Sequence, residues 1–364
     1  MNVMSKLLKS KHALLAVILV LTLALTACGS NSGGGSQSGS SSQPSQQPAQ
    51  QPAQQTAQNQ QEPQKEEPKI NFPEKSITML VPAAAGGGTD ITARTVAKIA
   101  ESILGQSIVI VNEAGASGTV AATEVARAKP DGYTLFFTAA APLVTQPHVA
   151  QTQYQLDDFR AVAGFSTEPV LMAVRSDAKW KSLEDLLQEK DSGKTIKHGQ
   201  SGTGTFMHIA HTYFYKKAGI PAESVPFQGG NPAVTALLGG HVDTGAALPS
   251  ELMPHVESGD LTLLAITTPE RFSLIPDVPT FKEKGFDVTV DVGKYLMAPK
   301  DTPDEVIAVL EKAFLEAANS AEFGDFLKST YQMPQILGAD DAMAKLKHDS
   351  EMYKGILREI GLIQ

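Results

Sequence analysis

The sequence predicts an α/β protein, and three observations support this class. From residue 70 onward, short apolar runs alternate with stretches of helical periodicity, which is typical of successive strand–helix–strand units and a mostly parallel sheet. Glycine-rich loops join several strands to the helices that follow them. A chain of 364 residues, 42% hydrophobic and 19% charged, is globular and leaves room for one to three domains.

Each element has its own signal. The apolar runs predict strands at 76–82, 107–111, 134–138, 170–174, 195–198, 224–227, 242–247 and 261–267. The first helix begins at Thr89 or Asp90 and ends at Gly105, with Ile91, Ile99 and Ile103 on or near one face. Further helical stretches lie at 118–127, 182–190, 205–217, 231–239, 250–258, 302–319 and 340–360. Since no repeat of fixed period is present, a solenoid is excluded.

Charge and cysteine content exclude two classes of protein. The net charge is −9, and no block of lysine or arginine follows the first dozen residues, so the basic surface of a nucleic-acid-binding protein is missing. The single cysteine excludes intramolecular disulfides and cysteine-rich zinc sites. A packed core must therefore supply the stability.

The N-terminus has the features of a secretory leader. Lys6, Lys9 and Lys11 precede a thirteen-residue run of apolar residues and threonine at 13–25, which is too short for a comfortable membrane span. Residues 25–28, LTAC, resemble a bacterial lipobox. The resemblance implies a lipoprotein signal peptide at 1–27, cleavage after Ala27 and lipid modification of Cys28, which would anchor the protein to the outer face of the cell membrane. The alternative is a free thiol beside an ordinary cleavage site.

Residues 28–69 form a predicted tether. They are rich in serine, glycine, glutamine and proline and contain almost no apolar side chain that could support an ordered core. We expect this segment to lift the folded part off the bilayer without fixing its orientation.

The most informative segment is PAAAGGGTD at 82–90, a glycine-rich turn between a strand and a helix. Glycines allow close approach of a ligand, and the helix N-terminus offers free N–H groups with a partial positive charge, which suits an anion. The spacing is neither that of a Walker A loop nor that of a dinucleotide fingerprint. For Asp90, an ion pair with Arg94 at i+4 competes with direct ligand contact.

Two further loops have a similar design. The loop GQSGTGT at 199–205 opens a helix that carries His208 and His211, and its hydroxyls could serve a carboxylate. The two histidines could hold a metal, but no third ligand stands at useful spacing. The segment PFQGGNP at 226–232 adds Phe227 as an apolar wall and Gln228 as a hydrogen-bonding group. Such loops can face one another across a cleft at the carboxyl ends of strands.

Four segments carry a resemblance to a known family. They are LVPAAAGGGTDITAR, LGQSIVIVNEAGASGTVAATEVARAKPDGYTL, FQGGNPAVTALLGGHVD and LLAITTPERFSLIPDVPTFKEKGF. Over residues 74–364 the chain resembles the Bug family of extracytoplasmic solute receptors, which serve tripartite tricarboxylate transporters. The resemblance implies a type II periplasmic-binding-protein fold, in which two α/β lobes close like a Venus flytrap around a ligand cleft and a two-strand hinge joins them.

The resemblance also implies a ligand, partners and site residues. The ligand would be a di- or tricarboxylate or a related organic acid, and the partners would be one large and one small integral membrane subunit. The site would comprise Ala85, Gly86, Gly87, Asp90, Ala139, Ala140, Ser201, Thr203, Gly204, Thr205, His208, Phe227 and Gln228. Because these loops contain no arginine, neutral donors and helix N-termini would provide the affinity. Asn112, Gly115 and Gly118 match the family too, but we interpret them as structural.

The predicted organisation follows from this resemblance. The first lobe spans 70–170, the second lobe spans 171–295, and residues 296–364 return to the first lobe; the hinge lies near 165–173 and 291–299. The loops offer no nucleophile–base pair or metal cluster, so we predict a binding protein without cofactor or metal rather than an enzyme. We also expect the protein to be a monomer. The alternative function is a ligand sensor of the same fold that signals to a membrane kinase.

Overall fold

The structure is a computed structural model that describes residues 70–364. The predicted signal peptide, Cys28 and the tether lie outside the described residues. The strands are β1 (Ile77–Val81), β2 (Ile108–Asn112), β3 (Thr134–Ala139), β4 (Phe159–Pro169), β5 (Leu171–Arg175), β6 (Ile196–Gln200), β7 (Ala222–Pro226), β8 (Thr244–Ala247), β9 (Leu261–Ile266), β10 (Asp291–Pro299) and β11 (Met333–Leu337).

The helices cover the faces of these strands. They are α1 (Gly88–Leu104), α2 (Thr119–Ala126), α3 (Ala141–Val144), α4 (Gln146–Val149), α5 (Leu183–Leu187), α6 (Phe206–Ala218), α7 (Gly230–Leu238), α8 (Pro249–Glu257), α9 (Asp304–Ala318), α10 (Ala321–Ser329) and α11 (Ala339–Glu359). No helix within residues 70–364 is both long and apolar enough to cross a membrane.

The strands form two sheets, one in each lobe. The first sheet has the order β11-β4-β10-β3-β1-β2 and the second has the order β7-β6-β8-β5-β9. Strands β1, β2 and β3 are parallel to one another, as are β6, β7 and β8, whereas β4, β5, β9, β10 and β11 pair antiparallel. The prediction of a mostly parallel sheet is therefore wrong. Strands β5 and β10, which enter their sheets directly from the other lobe, pair antiparallel with their neighbours, without the helical crossover that parallel pairing needs.

The chain passes between the lobes at two places. Strand β4 ends at Pro169 in the first sheet and β5 begins at Leu171 in the second, within the predicted hinge segment 165–173. The return follows β9 and leads into β10, which pairs with β3 and β4 along its length. The predicted end of the second lobe at 295 thus falls inside a strand of the first sheet.

Helix α1 shows how local sequence fixes an element beside the cleft. It begins after Gly87 and ends at Gly105, whose φ of 68° is the left-handed conformation of a glycine C-cap. Its buried face consists mainly of small residues, Thr92, Ala93, Val96, Ala97 and Ala100, which let it pack closely on the sheet. Ile103, which the sequence places on or near one face with Ile91 and Ile99, is 36% exposed.

The C-terminal region contains elements that the sequence did not reveal. Helices α9 and α11 agree with the prediction, but α10 and β11 were not predicted. Helix α11 also contacts the second lobe: Tyr353 packs on Phe206 of α6 with ring centroids 4.7 Å apart, and Glu359 pairs with Lys217 at 2.5 Å. The segment 296–364 therefore contacts both lobes.

Candidate ligand-binding cleft

A cleft between the two lobes contains a cavity of about 120 Å³. The N-termini of five helices of eight or more residues line it, two from the first lobe (α1 and α2) and three from the second (α6, α7 and α8). Each helix N-terminus carries N–H groups without an intrahelical acceptor and a partial positive charge. Their convergence makes the cavity suited to a negatively charged ligand.

Charged side chains are nearly missing from the cavity wall. Within residues 70–364, the wall contains no lysine or arginine, and Glu251 is its one ionisable side chain. The other polar groups are neutral hydroxyls and amides, among them Thr89, Ser117, Ser201, Thr205, Gln228 and Asn231. Neutral donors and helix N-termini therefore provide the polar surface that a ligand would meet.

On the first-lobe side, Asp90 holds the glycine-rich loop in shape. Its carboxylate accepts hydrogen bonds from the Gly86 N–H at 2.8 Å, from Arg94 Nε at 3.0 Å and from Asn112 Nδ2 at 2.7 Å. Burial raises the pKa of this carboxyl, but these donors outweigh burial and hold the pKa below its ordinary value. The predicted Asp90–Arg94 pair is confirmed, and Asp90 lies behind the loop rather than in the cavity wall.

A second first-lobe segment, residues 114–118, reaches the cavity through a strained turn. Ala116 and Ser117 have φ values of 45° and 53°, in a region that residues with a Cβ rarely adopt. A Cβ on Gly118, whose φ is 90°, would lie 2.6 Å from Pro142 Cγ. Gly115 and Gly118 line the cavity. The interpretation of these glycines as purely structural is therefore incomplete, because they also form part of the cavity wall.

On the second-lobe side, internal hydrogen bonds fix the loop before α6. The Gly204 N–H donates to His208 Nδ1 at 3.0 Å, and Thr205 Oγ1 donates to the Gly202 carbonyl at 2.8 Å. Burial lowers the pKa of His208 to about 4, so the ring is neutral and can accept this bond. His208 therefore positions the loop from beneath.

The same loop docks on the first lobe. Ser117 Oγ and Gln146 Nε2 donate to the Thr203 carbonyl at 3.1 and 2.8 Å, and Thr145 Oγ1 donates to the Gly204 carbonyl at 2.6 Å. These bonds occupy the carbonyl groups of Thr203 and Gly204 and close one side of the cleft.

The structure brings part of the predicted site together. Five of the predicted residues line the cavity: Gly87, Ala139, Ser201, Thr205 and Gln228. The others lie outside its lining: Ala85, Gly86, Asp90, Ala140, Thr203, Gly204, His208 and Phe227. The aromatic ring of Phe227 lies beside Gly199, with Cε2 3.3 Å from where a Cβ on that glycine would stand. Direct ligand contact by this second group stays a prediction.

Sequence reasoning missed Glu251 and a buried ion pair behind the cleft. Glu168 of β4 and Lys294 of β10 are both fully buried and form a salt bridge where the chain passes between the lobes. Lys294 Nζ also donates to Gln332 Oε1 at 2.8 Å and to Thr92 Oγ1 at 3.0 Å. A signal was present, since a charge inside a largely apolar strand needs a partner.

A family model agrees with this architecture. The model described as "Tripartite tricarboxylate transporter family receptor", TctC, matches residues 92–362. Protein BugT of Bordetella pertussis is 30% identical over 295 residues, which cover 80% of this chain and 90% of BugT.

Solved structures with related folds extend the similarity. MatC of Rhodopseudomonas palustris, determined with bound malate, is 28% identical with a TM-score of 0.73; the match covers 79% of this chain and all of MatC. A second R. palustris protein, determined with adipate, is 26% identical with a TM-score of 0.77 and coverages of 80% and 99%. The chain is thus similar to proteins whose structures contain dicarboxylates.

Proposed function

The chain belongs to the tripartite tricarboxylate transporter receptor family, TctC, and from this premise we propose that it captures a small organic acid between its lobes and delivers it to two integral membrane subunits. The convergence of five helix N-termini on a cavity without lysine or arginine in its described wall carries the proposal. The leader and Cys28 support a lipid-anchored receptor outside the cytoplasm.

Capture follows from the division of the cleft between the lobes. Groups from α1 and α2 belong to one lobe and groups from α6, α7 and α8 to the other, so a ligand contacts all of them only when the lobes are closed. Binding would then shift the population of open and closed forms, and the membrane subunits would recognise the closed form.

A thermal-shift panel tests the proposal. The purified full chain, unfolded and refolded to remove any copurified ligand, is heated with di- and tricarboxylates, hydroxy acids, aromatic acids and amino acids. An organic acid present at ~100 times its dissociation constant should add about 2.7 kcal/mol to the free energy of unfolding. Ser201→Ala, which removes a hydroxyl from the cavity wall, should reduce that shift, whereas Ser329→Ala on α10 should leave it unchanged. A panel without any shift would contradict the proposal.

A second prediction concerns closure of the lobes at Gly88, in the first turn of α1. A Cβ on this residue would lie 2.6 Å from Ser250 Oγ and 3.4 Å from Leu248 Cδ1, both in the second lobe. Gly88→Val should wedge the lobes apart and weaken binding of the stabilising acid by one to two orders of magnitude, about 1.4–2.7 kcal/mol, in a calorimetric titration.

The matched control is Gly355→Val on α11, because no atom of another element lies within 4 Å of a Cβ at that position. This variant should bind with the affinity of the unmodified chain. Equal affinities for Gly88→Val and Gly355→Val would show that the approach of α1 to α8 does not matter for capture.

A further inference from the structure

Glu251 lies among the helix N-termini of the cleft and is the one ionisable side chain in the described cavity wall. It is the third residue of α8, and its Oε2 accepts a hydrogen bond from the Leu248 N–H at 3.0 Å. Its Oε1 has no hydrogen-bond partner among residues 70–364. One oxygen of this carboxyl is thus free to accept a bond from a ligand.

The carboxyl group also occupies the start of a neighbouring helix. A Cβ on Gly230, the first residue of α7, would lie only 2.1 Å from both Oε1 and Oε2 of Glu251. An acidic side chain is therefore already placed where the N-terminus of α7 would attract an anionic group. A second ligand carboxylate at this end would meet like charge.

The surrounding charges do not cancel this negative charge. The groups that act on Glu251 are Glu168 of β4, Lys294 of β10 and the Leu248 N–H of α8. Glu168 and Lys294 neutralise each other in a salt bridge, which leaves Glu251 as the uncompensated charge of this cluster. Burial, opposed by the Leu248 N–H, raises the pKa of Glu251 to about 7.

We propose that Glu251 determines ligand specificity: it selects organic acids with one carboxylate and a hydroxyl or amino donor at the other end over acids with two ionised carboxylates. This inference rests on the proposed function and names the ligand class for the same cleft. The carboxylate would bind the neutral donors away from α8, and the donor would satisfy the free Oε1 of Glu251. Selection arises because a diacid leaves the acceptor Oε1 of Glu251 unpaired and places like charges in contact, and both effects cost affinity.

The test compares matched acids on the full chain by calorimetric titration. The pairs are succinate with 4-hydroxybutyrate and adipate with 6-hydroxyhexanoate, which differ at one end only. At pH 8.0 the hydroxy acid of the preferred length should bind at least tenfold more tightly than the diacid. Glu251→Gln should strengthen diacid binding at least tenfold and change hydroxy-acid binding less than threefold. Glu223→Gln, an exposed position on β7, is the control and should leave the preference unchanged.

The pH dependence gives a second readout. For a pKa of about 7, the protonated fraction of Glu251 rises from ~0.1 at pH 8.0 to ~0.75 at pH 6.5. Because a diacid should bind only to the form with protonated Glu251, its affinity should rise about eightfold over this range. The Glu251→Gln variant should lose this rise, and any rise that it keeps reports titration of the diacid itself.

The outcomes separate the two proposals. A preference for the diacid at pH 8.0, or equal effects of Glu251→Gln on both members of a pair, would overturn the role of Glu251 while leaving organic-acid capture intact. No binding of any pair by either protein would overturn this inference, whereas organic-acid capture is decided by the thermal-shift panel, which also contains tricarboxylates and aromatic acids.

Discussion

Acidification from pH 7 to about pH 4.5 is expected to unfold this protein, because three histidines are buried without charge in the second lobe. His198, His208 and His211 are 2%, 5% and 0% exposed, and the ring centroid of His198 lies 6.5 Å from that of His208 and 5.8 Å from that of His211. Burial lowers the pKa of His198 to about 3 and that of His208 to about 4, and it lowers the pKa of His211 well below its ordinary value.

The sign follows from proton binding in the two states. The unfolded chain protonates its histidines below about pH 6.5, whereas the folded chain keeps these three neutral, so the unfolded state binds more protons. Their contribution to stability is fully present above pH 6.5 and is lost as the pH falls toward their lowered pKa values. Below that pH, each buried histidine lowers the free energy of unfolding by ~1.4 kcal/mol per pH unit, or about 4 kcal/mol per pH unit for the three together. The stability lost over two pH units would exceed the free energy of unfolding of many domains, which is ~5–15 kcal/mol.

Urea unfolding of the full chain between pH 7.5 and 4.5 measures this slope. His211→Leu places an apolar side chain at the fully buried position and should lower the slope below pH 6 by about one third. His348→Leu, at an exposed position on α11, should leave the slope unchanged. A free energy of unfolding that stays constant from pH 6.5 to 4.5 would contradict the prediction.

Lys294→Met is expected to destabilise the fold by ~3–5 kcal/mol, because it leaves the buried carboxylate of Glu168 without its partner. Both side chains are fully buried, and besides Lys294 the carboxylate has one other described hydrogen-bond donor, Ser250 Oγ at 3.1 Å. The variant also removes the donor to Gln332 and Thr92, which join β10 to neighbouring elements of the first lobe. Urea unfolding at pH 7.5 measures the loss.

A double variant separates loss of a charge partner from loss of packing. Glu168→Leu combined with Lys294→Met removes both charges and should recover at least half of the lost stability. Lys300→Met, directly after β10 and exposed, should change stability by less than about 0.5 kcal/mol. A double variant as unstable as Lys294→Met alone would mean that packing, and not the ion pair, is responsible.

The positions of the strand-to-helix loops could be predicted from sequence because glycine, strand and helix signals are local. Gly87, Ser201 and Gln228 were identified in this way, and all three line the cleft. For Asp90, local sequence spacing predicted only one of its contacts. The i+4 spacing to Arg94 was visible, but the bonds to Asn112 and to the Gly86 N–H, which place this carboxylate behind the loop, depend on the fold.

The sequence by itself determined the α/β class, the order of most elements, the family resemblance and the lack of arginine in the binding loops, because each of these depends on neighbouring residues or on long ordered motifs. Only the tertiary structure decided which residues share the cleft. Glu168 and Lys294 are 126 positions apart, and Glu251 lies over Gly230 because two helices begin at the same end of the second sheet. Such contacts form when strands from distant parts of the chain pair, and no local pattern specifies that pairing.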